Sequence, residues 1–171
     1  MTRTRTMRVE DDVDDAVHDI AERERVSVNL VVNRALRRFV EWEQSSASRG
    51  MVSVPPALLV KLMSNRKPEE ARELGRWTGS HLFIPNLRTQ YATVTVGVAI
   101  RGVSQLSSYG GRFEFDHKVT GKMHTVYIRH SLGLRWSSYY AGAMEAIFGE
   151  FLRKKIRLRV TEELCLCQFE E

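Results

Sequence analysis

The sequence of 171 residues predicts an α+β protein with two domains. Three observations carry this prediction. The first part of the chain has a strand pattern followed by two amphipathic helix patterns. A stretch of small and polar residues follows it. Near the end of the chain, two hairpin patterns lie on either side of a long helix pattern. The predicted boundaries are 1–43 for the first domain, 44–54 for the linker and 55–171 for the second domain.

Composition narrows the class of protein. Lys plus Arg number 26 and Asp plus Glu 21, a net charge of +5, and no apolar run approaches the ~20 residues of a membrane helix. The charged opening, residues 1–6, lacks the apolar core of a secretory signal. The two cysteines, Cys165 and Cys167, lie too close in sequence for a disulfide between them to cross-link distant parts of the fold. This excludes a secreted protein that depends on disulfides for its stability. We expect a soluble, cytoplasmic protein without a membrane partner.

The first predicted element is a strand over residues 2–9. Thr and Arg alternate along it, and Met7 and Val9 lie two positions apart, which gives the strand one apolar face. The alternation places three residues on the opposite, outer face: Thr4, Thr6 and Arg8.

Two helices are predicted to follow. Asp11 and Asp12 supply first-turn carboxylates, and the apolar residues at helical spacing are Val13, Ala16, Val17 and Ile20. After a short polar turn, Ser27 is placed to cap a second helix that could run to Trp42. Its apolar residues are Val28, Val31, Val32, Ala35, Leu36 and Phe39.

A lone strand with two short helices cannot bury its own apolar faces, since ~45 residues lie near the lower limit for an independent core. We therefore expect a two-fold dimer whose strands pair antiparallel. Such a two-stranded ribbon fits the major groove of B-DNA, where Arg can bind guanine through two hydrogen bonds and Thr offers a hydroxyl and a methyl group. Residues 1–49 carry nine Arg against ten Asp and Glu, so DNA binding depends on where the charges lie and not on bulk charge.

Residues 2–42 resemble the ribbon-helix-helix family of the Arc, MetJ and CopG repressors, from the strand through Ser27 without a gap. The resemblance implies that Thr4, Thr6 and Arg8 read bases. It also implies that Ser27, Val28 and Asn29, at the start of the second helix, bind a DNA phosphate, which agrees with the free N–H groups of a helix N-terminus.

Two positions depart from that family's pattern. Arg25 occupies the turn position where the family has glycine, so either a left-handed arginine carries strain or the turn differs. Arg5 falls on the inward face of the strand, so we expect the strand to fray and Arg3 and Arg5 to contact phosphates as a mobile arm. Taken alone, the alternating Thr and Arg would also fit a solvated edge strand.

The second block reads as α+β. Its predicted elements, in chain order, are helices over residues 56–63 and 68–82, a segment over 88–103 that fits a strand or a helix, a hairpin turning at 119–122, a helix over 134–152 and a hairpin turning at 161–163. The late helix and the Cys-bearing hairpin loosely resemble the 4-vinyl-reductase-type sensor domain. The block also resembles an uncharacterised domain that follows ribbon-helix-helix segments in archaeal proteins.

Two candidate sites lie in this block. Cys165, Cys167, His124 and His130 are candidate metal ligands, with buried thiols and structurally satisfied histidines as the alternative. Trp136, Tyr139 and Tyr140 could line a small-molecule pocket or belong to the core. There is no nucleophile elbow, phosphate loop or paired-carboxylate motif, so we expect neither an enzyme nor a cofactor.

These observations predict a homodimeric transcriptional regulator, of the repressor type, that binds double-stranded DNA through its first domain. The second domain would regulate it or assemble it further. Two alternatives stay open: an antitoxin-type protein whose second domain binds a protein partner, and a regulator that senses a metal or a small ligand.

Overall fold

The computed structural model describes residues 3, 5–44, 46 and 51–171, and the fold is mixed α+β, as predicted. The chain divides into two compact units, Met1–Met51 and Val52–Glu171. The division falls within the predicted linker, where the described residues 51–54 have no regular secondary structure. Gln44 and Ser46, also assigned to that linker, are helical.

The first unit is helical. Helix α1 is Asp11–Glu24, and α2 is Val28–Arg38, which continues as a π-helical segment, Phe39–Glu43. Between them Arg25 is left-handed, with φ 55° and ψ 45°, and the N–H of Val26 donates to the Ala21 carbonyl at 2.9 Å. The turn is thus a left-handed helix cap, with the strain that a residue other than glycine has there.

The strand predicted over residues 2–9 is wrong for the single chain. Arg3 and residues 5–10 lie outside every helix and strand, and Thr4 lies outside the described residues. The physical reason is that a strand needs a partner for its N–H and C=O groups. Nothing else described in the first unit is a strand, so the described part of this unit offers no such partner.

The helices of the second unit begin and end partly where the sequence predicts. They are α3 Pro56–Met63, α4 Pro68–Thr78, a π-helical segment Gly79–Phe83, α5 Ile84–Gln90 and α6 Val96–Gly110. The first matches its prediction. The helix predicted over 68–82 instead continues to residue 90, because a widened π turn precedes Pro85 and accommodates the ring that would end a regular helix.

The ambiguous segment over 88–103 is resolved by a helix cap. The hydroxyl of Thr95 accepts a hydrogen bond from the N–H of Val98 at 3.3 Å, and α6 starts at Val96. Val96 and Val98, whose alternation resembles a strand, therefore lie in a helix, since the side-chain cap satisfies an N–H group that a strand would have to pair elsewhere. Residues 91–95 connect α5 to α6.

Both predicted hairpins form, and they join into one sheet. The strands are β1 Glu114–Thr120, β2 Met123–Arg129, β3 Arg157–Val160 and β4 Leu164–Glu170, all antiparallel in the order β1-β2-β4-β3. Strands β2 and β4 pair with Ile128 opposite Cys165 and Val126 opposite Cys167. The predicted long helix lies between the hairpins as α7, Leu134–Met144, with a π-helical continuation, Glu145–Phe151.

The core of the second unit lies where α7 and its continuation pack on one face of the sheet. Phe148 and Phe169 stack with ring centroids 4.7 Å apart, and both are at most 1% exposed. Val126, Ile128 and both cysteines share this buried face of the sheet. Burial of these side chains supplies the main driving force for folding this unit.

Two glycines bring α4 and α7 into backbone contact. A Cβ atom on Gly75 would lie 1.9 Å from the Tyr139 carbonyl oxygen, and one on Gly142 would lie 1.9 Å from the Arg72 carbonyl oxygen. No side chain fits at either distance, so the crossing requires glycine on both helices.

Gly142→Ala is expected to lower the free energy of unfolding by about 3 kcal/mol, because the added methyl group forces two backbones apart. Gly97→Ala is the matched control, since its Cβ would meet nothing closer than the Thr95 hydroxyl oxygen at 3.9 Å. That control should stabilise the protein by up to about 1 kcal/mol. Urea unfolding measures both, and equal effects of the two substitutions would contradict the close crossing.

Candidate functional site

The predicted DNA-reading segment is accessible in the single chain. Arg3, Arg5, Thr6 and Arg8 are all exposed. In the part of the chain that the structure describes, none of these three arginines forms an ion pair. The segment therefore offers three unneutralised guanidinium groups to a partner, which is the chemistry that binds phosphates and guanine edges.

The start of α2 carries the second group of predicted contacts. Ser27 caps the helix, and its hydroxyl accepts the N–H of Leu30 at 3.2 Å, as the sequence predicts. The N–H groups of Val28 and Asn29 have no acceptor among the described residues. Free N–H groups and the positive end of the helix dipole make this terminus suited to a phosphate.

The apolar side chains of the first unit remain uncovered. Among its described residues, Ala21 is the only apolar side chain that is buried. Phe39 is 58% exposed and Met7 53%. The other large apolar side chains left exposed on this unit are Val9, Val13, Leu30, Leu36, Val40 and Met51. This unit therefore leaves eight large apolar side chains exposed among its described residues.

The candidate metal ligands do not converge. His124 hydrogen-bonds His117 at 3.0 Å, and its Nε2 atom lies 2.9 Å from a Glu171 carboxylate oxygen. His130 lies just beyond β2 and hydrogen-bonds Ser137 at 2.9 Å. The described residues contain no cluster of three or more side chains that could hold a metal ion. The two cysteines lie on β4 opposite Ile128 and Val126 of β2, and both are 1% exposed.

Burial keeps both thiols protonated. It raises the pKa of Cys165 to about 12 and that of Cys167 to about 12, with the neighbouring thiol adding to the effect at Cys165. A metal ligand or a nucleophile must be a thiolate, so neither cysteine is poised for those roles. They act as small apolar residues of the core.

The Ser137–His130 pair is not a catalytic dyad. The Nδ1 atom of His130 accepts the N–H of Leu132 at 3.1 Å, so the proton of the neutral ring is on Nε2, which donates to the Ser137 hydroxyl. Burial lowers the pKa of His130, which favours this neutral ring. The imidazole thus cannot take a proton from Ser137, whose side chain is fully buried.

A small cavity of about 50 Å³ lies in the second unit, between α6, α7 and the π-helical segment Gly79–Phe83. Of the three aromatic residues that the sequence offers as a possible pocket lining, Tyr139 and Tyr140 line this cavity. Trp136 does not line it and donates its Nε1–H to the Leu59 carbonyl. Arg112 also lines it. Sequence reasoning missed Arg112, because no local pattern shows that a residue just after α6 reaches a tyrosine on α7.

Comparison with models of known protein families and with curated protein sequences gives no match. None of the described helices combines the length and the apolar character needed to cross a bilayer.

Because both thiols are buried and protonated, we expect them not to react with a disulfide reagent such as DTNB at pH 8 while the protein is folded. After unfolding in guanidinium chloride both should react at once, as ordinary cysteines do. Absorbance of the released thiolate measures the two rates. Rapid reaction of the folded protein would show that at least one thiol is accessible and ionised.

Proposed function

We propose that this protein is a sequence-specific DNA-binding transcriptional regulator that acts as a homodimer. In this proposal two copies of the first unit interlock, their opening segments pair as an antiparallel ribbon, and the ribbon enters the major groove. The observation that carries the proposal is the first unit's uncovered apolar surface, next to an alternating Thr/Arg segment and a capped helix start.

The need for a second copy follows from burial. With Ala21 as the only buried apolar side chain among its described residues, the first unit gains too little from the hydrophobic effect to be stable alone. Helix α1 contacts α2, and the Arg34 guanidinium bonds the Glu24 carboxylate at 2.8 Å, but both side chains are about half exposed. A surface ion pair of this kind contributes little. A second copy of the same amphipathic helices is the partner of matching chemistry.

Pairing of two opening segments also accounts for the missing strand. In an antiparallel ribbon each segment would satisfy the N–H and C=O groups of the other, and Met7 and Val9 would turn toward the helices. Thr4, Thr6 and Arg8 would then face the DNA, and Arg3 and Arg5 would reach the phosphates. The unpaired arginines of the segment support this assignment.

The start of α2 supports a phosphate contact from each protomer. Ser27, Val28 and Asn29 form the capped helix start, and two of its N–H groups are free among the described residues. Two such contacts per dimer would fix the register of the ribbon on the duplex without reading sequence.

The second unit would regulate or further oligomerise the dimer. It has its own core around Phe148 and Phe169, which weighs against an antitoxin tail that folds only on binding its toxin. The buried, protonated thiols weigh against metal sensing. The cavity beside Tyr140 favours the remaining alternative, a small ligand.

Arg8→Ala is expected to weaken specific binding by about 1–3 kcal/mol, because one arginine per protomer would lose its hydrogen bonds to a base. Arg23→Ala is the matched control, an exposed arginine in the last turn of α1. Sites selected from random DNA supply the probe, and gel-shift titration measures the affinity. Equal affinities of wild type and Arg8→Ala, or failure to select any site, would refute the proposal.

Leu36→Asn is expected to shift the full chain from dimer toward monomer, since it places an amide in the proposed helix interface. Leu36 is 49% exposed in the single chain, so the change removes few contacts within one chain. Arg37→Asn, at the next position and mostly exposed, is the control and should stay dimeric. Sedimentation velocity measures the oligomeric state, and a monomeric wild type would exclude the interlocked dimer.

A further inference from the structure

The cavity in the second unit has apolar walls and a size suited to a very small guest. Its apolar lining includes Phe83, Val103, Phe113, Ile128, Met144 and Ile147. At about 50 Å³ it provides roughly four water-sized positions. A molecule with about four to six heavy atoms matches that space, while a nucleotide or a sugar exceeds it.

Tyr140 is a buried side chain of this lining with an unsatisfied hydroxyl. The residue is 5% exposed, and its hydroxyl has no hydrogen-bond partner among the described residues. A buried hydroxyl without a partner is destabilising, and native structures rarely keep one without a reason. Burial raises the pKa of Tyr140 above its usual value, so the hydroxyl keeps its proton and remains a donor at neutral pH.

Arg112 is the charged residue of the same lining. It is half-buried, and no carboxylate in the part of the chain that the structure describes pairs with it. Arg112 and Tyr140 line the same cavity, so both can contact one small guest. A guanidinium group in such a position favours an anion with two oxygens in one plane, because a carboxylate accepts two parallel hydrogen bonds from it.

We propose that this cavity binds a short-chain monocarboxylate, of the size of acetate to butyrate. The carboxylate would pair with the Arg112 guanidinium and accept the Tyr140 hydroxyl proton in a hydrogen bond, and the alkyl chain would lie against the apolar wall. Among the described residues the lining contains no second cation, which disfavours a phosphate or a dicarboxylate. The inference concerns the second unit alone and stands whether or not the first unit binds DNA.

The test is a titration of the ¹⁵N-labelled full chain with sodium butyrate, against sodium chloride at equal ionic strength. We expect chemical-shift changes confined to the lining residues and a dissociation constant on the order of 1 mM, which is reasonable for so small a ligand. Arg112→Gln should raise that constant about tenfold or more, since it removes a charge-assisted hydrogen bond. Tyr140→Phe should raise it severalfold and should not lower the melting temperature of the unliganded protein.

The controls separate this site from general effects. Arg101→Gln changes an exposed arginine of α6 outside the lining and should leave the affinity unchanged. Neutral butyramide, which has the same shape, should bind no better to wild type than to Arg112→Gln. Equal binding of butyrate to wild type and Arg112→Gln, equal binding of butyrate and butyramide, or no localised shifts would each overturn the proposal and leave water as the occupant of the cavity.

Discussion

The second unit depends on the backbone contact between α4 and α7 at Gly75 and Gly142. The contact sets the position of α7 between α4 and the sheet, and so determines where its tyrosines lie. Ion pairs also connect α4 to the continuation of α7. Arg72 and Arg76 both donate hydrogen bonds to the Glu145 carboxylate, and the Nε atom of Arg76 lies 2.8 Å from it. Burial alone would raise the pKa of Glu145, but the two guanidinium groups outweigh it and hold that pKa below its usual range.

The first unit is governed by the opposite condition, a shortage of burial. Its helices are well defined by local signals: a left-handed cap at Arg25 and a hydroxyl cap at Ser27. A side-chain cap such as that of Ser27 stabilises a helix by about 1 kcal/mol and does not create a core. Side chains such as Phe39 and Leu36 stay exposed in one chain, and this exposure is the reason for the proposed homodimer.

Most of the buried or partly buried histidine and cysteine side chains in the second unit either hydrogen-bond within the protein or stay protonated, so they are not available to bind a ligand. His130 accepts a hydrogen bond from a backbone N–H and donates one to Ser137. His117 hydrogen-bonds His124, whose other ring nitrogen lies beside the Glu171 carboxylate. The thiols of Cys165 and Cys167 are protonated because they are buried. The Tyr140 hydroxyl is different, since it is buried without a partner, and it borders the cavity that Arg112 also lines. This contrast is the reason to place a ligand there and not at the histidines or cysteines.

The sequence by itself determined the elements whose signals are local. Periodicity and caps placed α1, α2, α3 and both hairpins, because helix and turn chemistry acts over only a few residues. Only the tertiary structure decided what depends on distant partners. It joined the hairpins through β2 and β4, and it placed Arg112 and Tyr140 in the lining of one cavity. Those outcomes depend on packing between residues far apart in the chain, and no local sequence pattern predicts such packing.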